Sequence, residues 1–388
     1  MKIVSIESYV LKDQLKESFY FSQWEYSERK ICIVKITSDT GQVGWGEGYG
    51  PAPVIKAGVD FLKTFIVGQN PLESETIWNL MYRRTLDYAR SGVLVSAMSA
   101  IDVALWDLKG KILDLPVHTL LGGKKRETIM PYATGMYFTQ CEDMPETLAA
   151  EAQSYVKQGF KAMKIKVGLT LEKDIENVKR IREAIGPDIK LMVDANHAYN
   201  LREAVQLCKE IEQYNIGWFE EPISPEYYHQ YNELRSKTSI PISGGECEYL
   251  RFGFHRLLSA NSVDIVQPDI CASGGLTEAK RISALATTHG VEIVPHTWGT
   301  GIALAAATHF IANLDIMPGR MFPDAALMEY DRTENALRDQ LTSPAIEMNE
   351  EGQFKISDKP GLGFDLNEEV LYNYAIEESK LETTGLFQ

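Results

Sequence analysis

The sequence predicts an α/β protein whose larger part is a closed barrel of parallel strands, preceded by a smaller α+β unit. Two patterns carry that expectation: strand-period alternation giving way to helical period in the first 125 residues, and a regular succession of short apolar runs and helical segments after them. A third observation, ionisable residues at the ends of successive runs, places the chemistry at one mouth of the barrel.

Taken in order, KIVSIESYVL and KICIVKITSDTGQVGWGEG put apolar residues at every second position, and Asp39-Thr40-Gly41-Gln42 supplies hairpin-turn chemistry, so an antiparallel sheet is expected. Between them lies ESFYFSQWEYSER, rich in Tyr20, Phe21, Trp24 and Tyr26. It is expected as a loop that either folds over the barrel mouth as a specificity lid or packs its rings into the seam between domains. From about Ala52 the apolar spacing becomes i, i+3, i+4, i+7 in FLKTFIVG, ESETIWNLMYRRTL and SGVLVSAMSAIDVALWDLKGKILD, which predicts amphipathic helices. This α+β unit is expected over 1–125, closing near Leu120-Leu121-Gly122-Gly123.

The runs IMPYATG, AMKIKVG, IKLMVDAN, IGWFEEP, IPISGGE, VDIVQPD and VEIVPHTW then alternate with segments such as LEKDIENVKRIREAIG and LREAVQLCKEIEQYN. Strand alternating with helix implies a parallel sheet covered by helices, and seven such strands exceed what an open doubly wound sheet usually needs. An eighth strand near Ala326 to Tyr330 would complete a barrel over 126–360, with 361–388 returning to the first unit.

Composition narrows the function. The 388 residues suffice for two or three domains, and 44% hydrophobic with 24% charged residues is ordinary for a globular chain. A net charge of −15 repels a polyanion, so no nucleic-acid partner is expected. The cysteines Cys32, Cys141, Cys208, Cys247 and Cys271 form no Cys-x-x-Cys pair and read as buried thiols of a reducing compartment. The N-terminus lacks the apolar core of a secretory signal, and the best membrane candidate, GIALAAATHFIANL, is short and carries Thr308, His309 and Asn313. A soluble cytoplasmic protein is expected, with no membrane partner.

The barrel strands end in Lys164 and Lys166, Asp194, Glu220, Glu246, Asp269, His296 and Glu329. From Lys164 to His296 the steps are 23 to 30 residues, about one βα unit each. All strand C-terminal ends of a βα barrel face one mouth, so these groups converge without contact in sequence. A single acid after a strand could merely cap the next helix, but that does not account for an unbroken series. Asp194, Glu220 and Glu246 cannot all ionise at close range without a cation, and hard oxygen donors select Mg²⁺, with Mn²⁺ as the other candidate. Glu221 should point the other way from Glu220, into the supporting layer or a helix cap. Lys164 and Lys166 share one face of their strand, where mutual repulsion and a metal would lower their pKa values enough for one to act as a base. Asp269 can orient His296 and raise its basicity.

At these residues the chain resembles the enolase superfamily, in the mandelate racemase group. The resemblance rests on GWGEG, SAIDVALWDLKGK, PVHTLLGG, MKIKVG, VDAN, WFEEP, GGE, QPD, VPHTWGTGIALAAATHF, LMEYD and PGLGFDL, and so covers nearly the whole length. It implies a (β/α)₇β modified TIM barrel and an N-terminal α+β capping domain completed by the C-terminal segment. It also implies Mg²⁺ on Asp194, Glu220 and Glu246, and a first step in which a base removes the proton α to a carboxylate, giving an ene-diolate. Lys166 then matches the base on one face, Lys164 faces the substrate carboxylate, His296 with Asp269 matches the group on the other face, and Glu329 matches a carboxylic acid bonding the second carboxylate oxygen. Asn196 is similar to a substrate-contacting position, with Tyr20, Trp24 and Trp298 as further candidate substrate contacts. Muconate lactonizing enzymes and dipeptide epimerases place a second lysine where this chain has Asp269, and no lysine occurs between Lys237 and Lys280.

The resemblance implies a lyase that dehydrates an acid sugar to a 2-keto-3-deoxy acid, because most of that group does so. A racemase or epimerase of an α-substituted carboxylic acid is the alternative, and a metal-binding scaffold without catalysis the remote one. The family also implies a homo-oligomer, a dimer or higher.

Overall fold

In the computed structural model, which describes residues 1–317 and 319–376, the chain opens with a long antiparallel hairpin. Strands β1 (Ile3–Phe21) and β2 (Trp24–Ser38) pair from Ile3↔Ser38 to Phe21↔Trp24, and β3 (Val43–Gly48) pairs along β2. The turn between β2 and β3 is closed by Ser38 N donating to Gln42 O at 3.0 Å. The segment expected as a loop is instead the far end of the β1–β2 hairpin, turning at Ser22 and Gln23. Pairing continues this far because Phe19 and Phe21 have a surface on the barrel to pack against.

Helices α1 (Ala52–Ile66), α2 (Ser74–Thr85) and α3 (Val93–Leu113) cover one face of this sheet and share its core. The glycines of β3 permit the approach: a Cβ on Gly46 would stand 2.1 Å from Ala100 O of α3. After the short α4 (Val117–Leu121) the βα repeat begins. Its strands are β4 (Thr128–Thr134), β5 (Ala162–Lys166), β6 (Lys190–Asp194), β7 (Ile216–Glu220), β8 (Ile242–Gly244), β9 (Ile265–Val266), β10 (Glu292–Ile293) and β11 (Leu327–Asp331). Between them run α5 (Met144–Lys157), α6 (Leu171–Ile185), α7 (Leu201–Ile211), α8 (Tyr228–Arg235), α9 (Leu250–Ser259), α10 (Gly275–His289) and α11 (Gly301–Asn313). Local chemistry sets several helix starts: Thr170 caps α6, and Asn200 with Glu203 forms a reciprocal capping box on α7.

The strands pair in parallel in the order β10-β9-β8-β7-β6-β5-β4-β11. Among the described residues β10 and β11 share no ladder. The ring is closed by its filling: Tyr132, Ala162, Met192, Trp218, Ile265, Val294 and Leu327 form one interior cluster drawn from strands on both sides of that join. Their neighbours Ala133, Met163, Leu191, Val193, Phe219, Val266 and Met328 face the helices in the main core.

Buried polar ties hold the two domains together. Glu47 of β3 accepts Thr300 N at 3.0 Å and Ala303 N at 3.2 Å, at the start of α11. Asp102 of α3 accepts Thr277 N at 2.9 Å and Thr277 Oγ1 at 2.6 Å, and Trp78 Nε1 donates to Gly274 O at 2.8 Å. Beyond α12 (Ala336–Gln340), α13 (Glu368–Tyr374) lies against β1, where Ile376 N donates to Val10 O at 2.9 Å. The remainder of the segment expected to return to the first domain, 377–388, lies outside the described residues. Among the described residues no helix is long and apolar enough to cross a membrane. Cys32, Cys208 and Cys271 are buried, whereas Cys141 and Cys247 are exposed, which corrects the reading of all five as interior thiols.

Candidate active site

Alternation along the barrel strands places the site. Ala162 and Met192 point inward, so Lys164, Lys166 and Asp194, at even steps along β5 and β6, point inward too, one layer nearer the mouth. Trp218 does the same for Glu220 on β7, and Leu327 for Glu329 on β11. Glu246 follows β8 after Gly245, whose φ of +123° re-aims the chain and suits only glycine. Asp269 and His296 stand just beyond β9 and β10.

These groups meet. Lys164 Nζ contacts Glu220 Oε1, lies 2.8 Å from Glu329 Oε1 and lies 3.5 Å from Asp194 Oδ2. Lys166 Nζ donates to Asp194 Oδ2 at 2.5 Å and to Asn196 Oδ1 at 2.7 Å. His296 Nδ1 is 2.7 Å from Asp269 Oδ2, while its Nε2 is 3.4 Å from Glu246 Oε2 and 3.9 Å from Glu329 Oε2. Lys166 and His296 stand three strands apart one way round the ring and five the other, facing each other across the mouth. They line one cleft of about 320 Å³ with Glu246, Glu329, Asn196 and Trp298.

Five buried or nearly buried carboxylates, Asp194, Glu220, Glu246, Asp269 and Glu329, thus surround two ammonium groups and one imidazole. Burial would pull Lys164 down, but Glu220, Glu329, Tyr132 and Asp194 outweigh it and hold the ammonium well above its ordinary value. The expected lowering is therefore not seen at Lys164, because each lysine meets acids before it meets the other lysine. Burial, with Asp194, Glu329 and Glu246 adding to it, pushes Glu220 up to about 7 despite Lys164. Burial alone would raise Glu329, but Lys164 and His296 take it down to about 2. Burial lowers His296, and Glu246, Glu329 and Asp269 reverse that and carry it up to about 10.

An excess of buried negative charge on hard oxygen donors suits a divalent cation such as Mg²⁺ or Mn²⁺. Glu220 and Asp194 are paired with Lys164 and Lys166 of β5, and Asp194, Glu220 and Glu246 do not all lie within 4.8 Å of one another. Among the described residues the potential ligands lying within 4.8 Å of one another are instead His197, Glu246 and Cys247.

Of the candidate substrate contacts, Trp24, Trp298 and Asn196 line the cleft and Tyr20 does not. Strand alternation turns Tyr20 away from Phe19 and Phe21, and its hydroxyl donates to Glu25 Oε1 at 3.2 Å. Phe21, Tyr26, Tyr49 and Tyr137 take its place in the cleft wall. Phe21, Tyr26 and Tyr49 pack against Trp298, with ring centres 6.4, 5.0 and 6.3 Å away, and Tyr137 packs on Phe21 at 5.7 Å, so the hairpin rings line the cleft and also pack the interdomain seam. Supporting groups not singled out from the sequence are Trp218 and Gln267, which donate to Glu220 Oε2 at 2.9 and 2.6 Å, and Thr134, which donates to Glu329 Oε1 at 2.7 Å. Period-two counting back from Glu220 and Asp269 finds the first two. Glu221 points away from Glu220, accepting Gly245 N and Tyr231 Oη at 2.7 Å each.

Residues 5–122 match the family model of the mandelate racemase / muconate lactonizing enzyme N-terminal domain, and residues 147–370 match that of the enolase C-terminal domain-like family. The chain belongs to the enolase superfamily. It is 40% identical over 378 residues to D-galactarolactone cycloisomerase of Agrobacterium fabrum, covering 97% of this chain and 100% of that protein. It is 34% identical over 349 residues to arabinonate dehydratase of Saccharolobus solfataricus, covering 89% and 90%. The crystal structure of 3,6-anhydro-D-galactonate cycloisomerase from Zobellia galactanivorans superposes with a TM-score of 0.89 at 53% identity, covering 97% of this chain and 100% of that one. With such relatives, this enolase superfamily member is an enzyme of the same general reaction type.

Proposed function

We propose that the enzyme removes the α-proton of a sugar acid and expels the oxygen on its β-carbon, the expelled oxygen being that of an anhydro or lactone ring. The observation that carries this reading is the placement of Lys166 and the Asp269–His296 pair on opposite sides of one buried, acid-rich cleft.

An α-proton beside a carboxylate is a very weak acid, and its removal leaves a dianion that only concentrated positive charge stabilises. Mg²⁺, held by Asp194, Glu220 and Glu246, would supply that charge when bound. Lys164 adds a fixed ammonium at the same end of the site, and Lys166, as the neutral amine, takes the proton. His296, oriented by Asp269, gives its Nε2 proton to the leaving oxygen as the C–O bond breaks, and the enol formed becomes a 2-keto-3-deoxy acid.

The names of two relatives favour a ring oxygen as leaving group. A 3,6-anhydro bridge puts an ether oxygen on the carbon β to the carboxylate, so its expulsion opens the ring and yields an isomer of the substrate. The aromatic wall of Phe21, Tyr26, Tyr137 and Trp298 suits the C–H face of such a ring. Dehydration of an open acid sugar is the second reading, favoured by relatives such as arabinonate dehydratase. Incubation with Mg²⁺ in D₂O of an anhydro sugar acid, a sugar lactone acid and an open acid-sugar panel separates them. A keto acid isomeric with its substrate supports the first reading, one lighter by a water the second, and α-deuterium without a keto product a racemase. Neither keto acid nor deuterium from any substrate would sink the proposal.

A further inference from the structure

We propose that His197, Glu246 and Cys247 form a second cation site, suited to a thiophilic divalent ion such as Zn²⁺ or Cd²⁺, that shuts the enzyme by taking Glu246 from Mg²⁺. The last clause rests on the proposed role of Glu246, while the site itself does not.

The three side chains each offer a donor of a different kind, imidazole nitrogen, carboxylate oxygen and thiol sulfur, and the atoms lie within 4.8 Å of one another. His197 Nε2 is 3.5 Å from Cys247 Sγ. A tetrahedral zinc with ordinary Zn–N and Zn–S bonds separates those two ligand atoms by about 3.6 Å, so the pair already has the spacing of two ligands on one ion. A second observation points the same way. His197 Nδ1, the nitrogen turned from Cys247, lies 3.3 Å from Glu221 Oε2, and Glu221 is itself held by Gly245 N and Tyr231 Oη. His197 Nδ1 is buried and makes no hydrogen bond in the structure, and a carboxylate at this distance is placed to accept its N–H and fix the tautomer once Nε2 ligates a metal. All three residues line the catalytic cleft, so an ion can reach them by the substrate's route.

Hard and soft ions are thereby sorted by their partners. Mg²⁺ prefers the all-oxygen set of Asp194, Glu220 and Glu246, while sulfur and nitrogen select zinc or cadmium. On binding, the Cys247 S–H bond breaks and a sulfur–metal bond forms, the thiol proton passing to solvent. The Nε2 lone pair of His197 and one oxygen of Glu246 fill two more positions, and water fills the fourth.

The test is titration of the full-length enzyme with Cd²⁺, followed by the ultraviolet thiolate-to-cadmium charge-transfer absorption. Wild type and Cys141→Ser, which removes the other exposed thiol, should develop the band at one equivalent, and Cys247→Ser should not. His197→Gln should weaken cadmium binding by about tenfold to a hundredfold. No band in wild type, or a band that survives in Cys247→Ser, overturns the site. Excess Mg²⁺ should weaken Cd²⁺ binding in wild type. If the band forms but Mg²⁺ has no effect on it, the second site stands and the sharing of Glu246 is what fails. Zinc inhibition, normalised to each variant's own activity, should fall at least about tenfold in Cys247→Ser.

Discussion

The pairing of Asp269 with His296 gives the sharpest test of the catalytic reading. Asp269→Asn keeps the size of the side chain and removes its charge. In the folded chain Asp269 Oδ2 lies 2.7 Å from His296 Nδ1 inside a buried site, while Oδ1 accepts Cys271 N at 2.7 Å. The second bond survives an amide oxygen, so the loop holds its place and the loss falls on His296. A buried hydrogen bond to a charged partner contributes about 1.5–3 kcal/mol, which converts to roughly 10- to 150-fold in rate. The substituted amide also offers an N–H where an acceptor stood, which turns the imidazole to the wrong tautomer and carries the loss toward the upper end of that range. Elimination should be followed by keto-acid formation under saturating substrate, beside His296→Asn and the double variant. His296→Asn should abolish elimination while leaving exchange on the Lys166 side, and the double variant should be no worse than His296→Asn alone, because the two act as a unit. Full activity in Asp269→Asn, or additive losses in the double variant, would refute the pairing as a catalytic device.

Other outcomes follow from the same structure. Burial raises Glu47 to about 7 against the donors Thr300 and Ala303, so the folded state holds its proton more tightly than the unfolded chain does. Its contribution is therefore most favourable below the unfolded value near 4.5 and is lost as pH rises through 7, so the stability gap between wild type and Glu47→Gln should shift by about 2 kcal/mol between pH 5 and 8 in denaturant unfolding; a constant gap contradicts this. Glu220→Gln should weaken Mg²⁺ binding by about tenfold to a hundredfold in calorimetry, and unchanged binding removes Glu220 from the ligand set. Trp24, 53% exposed on the cleft rim, should raise KM when changed to Ala with stability altered by no more than about 0.5 kcal/mol, whereas Tyr20→Ala should leave KM in place. Arg29 is buried, 2.7 Å from Asp331 Oδ2 and 4.5 Å from the Trp298 ring centre. Arg29→Ala should cost about 1.5–3 kcal/mol, the loss of one charged hydrogen bond, because Asp331 keeps Thr333 N and Oγ1 as donors and Arg338 Nη1 at 3.6 Å; a loss under about 0.5 kcal/mol would show that the pair does little.

The eight barrel strands were legible because each keeps one face for the helices and one for the interior, and the charged residue falls on the inward beat after Met192, Trp218 or Leu327. The hairpin tip was not, because its turn is Ser22-Gln23, without the Asn-Gly or Asp-Gly chemistry that marks such turns, although Ser22 takes φ +48°. Glu221 could be placed by parity against Glu220. Cys247 could not, because its exposure depends on how the chain leaves β8 after Gly245. The charge state of Lys164 was out of reach for a similar reason: spacing shows that two lysines share a face, but only the packed ring brings Glu220 and Glu329, distant in sequence, onto one of them.

Lys166 is nearly sealed, with its ammonium 4.9 and 5.2 Å from the ring centres of Phe21 and Tyr137 and its donors committed to Asp194 and Asn196. In the proposed mechanism, hydrogen lifted from a substrate onto that amine would have few routes to bulk water. Where the leaving oxygen lingers, the carbon would then often regain the same atom it lost, so the exchange left in His296→Asn should be slow. Isotope uptake would undercount how often the first step runs, and the commitment of each wild-type encounter would be read better from product than from label.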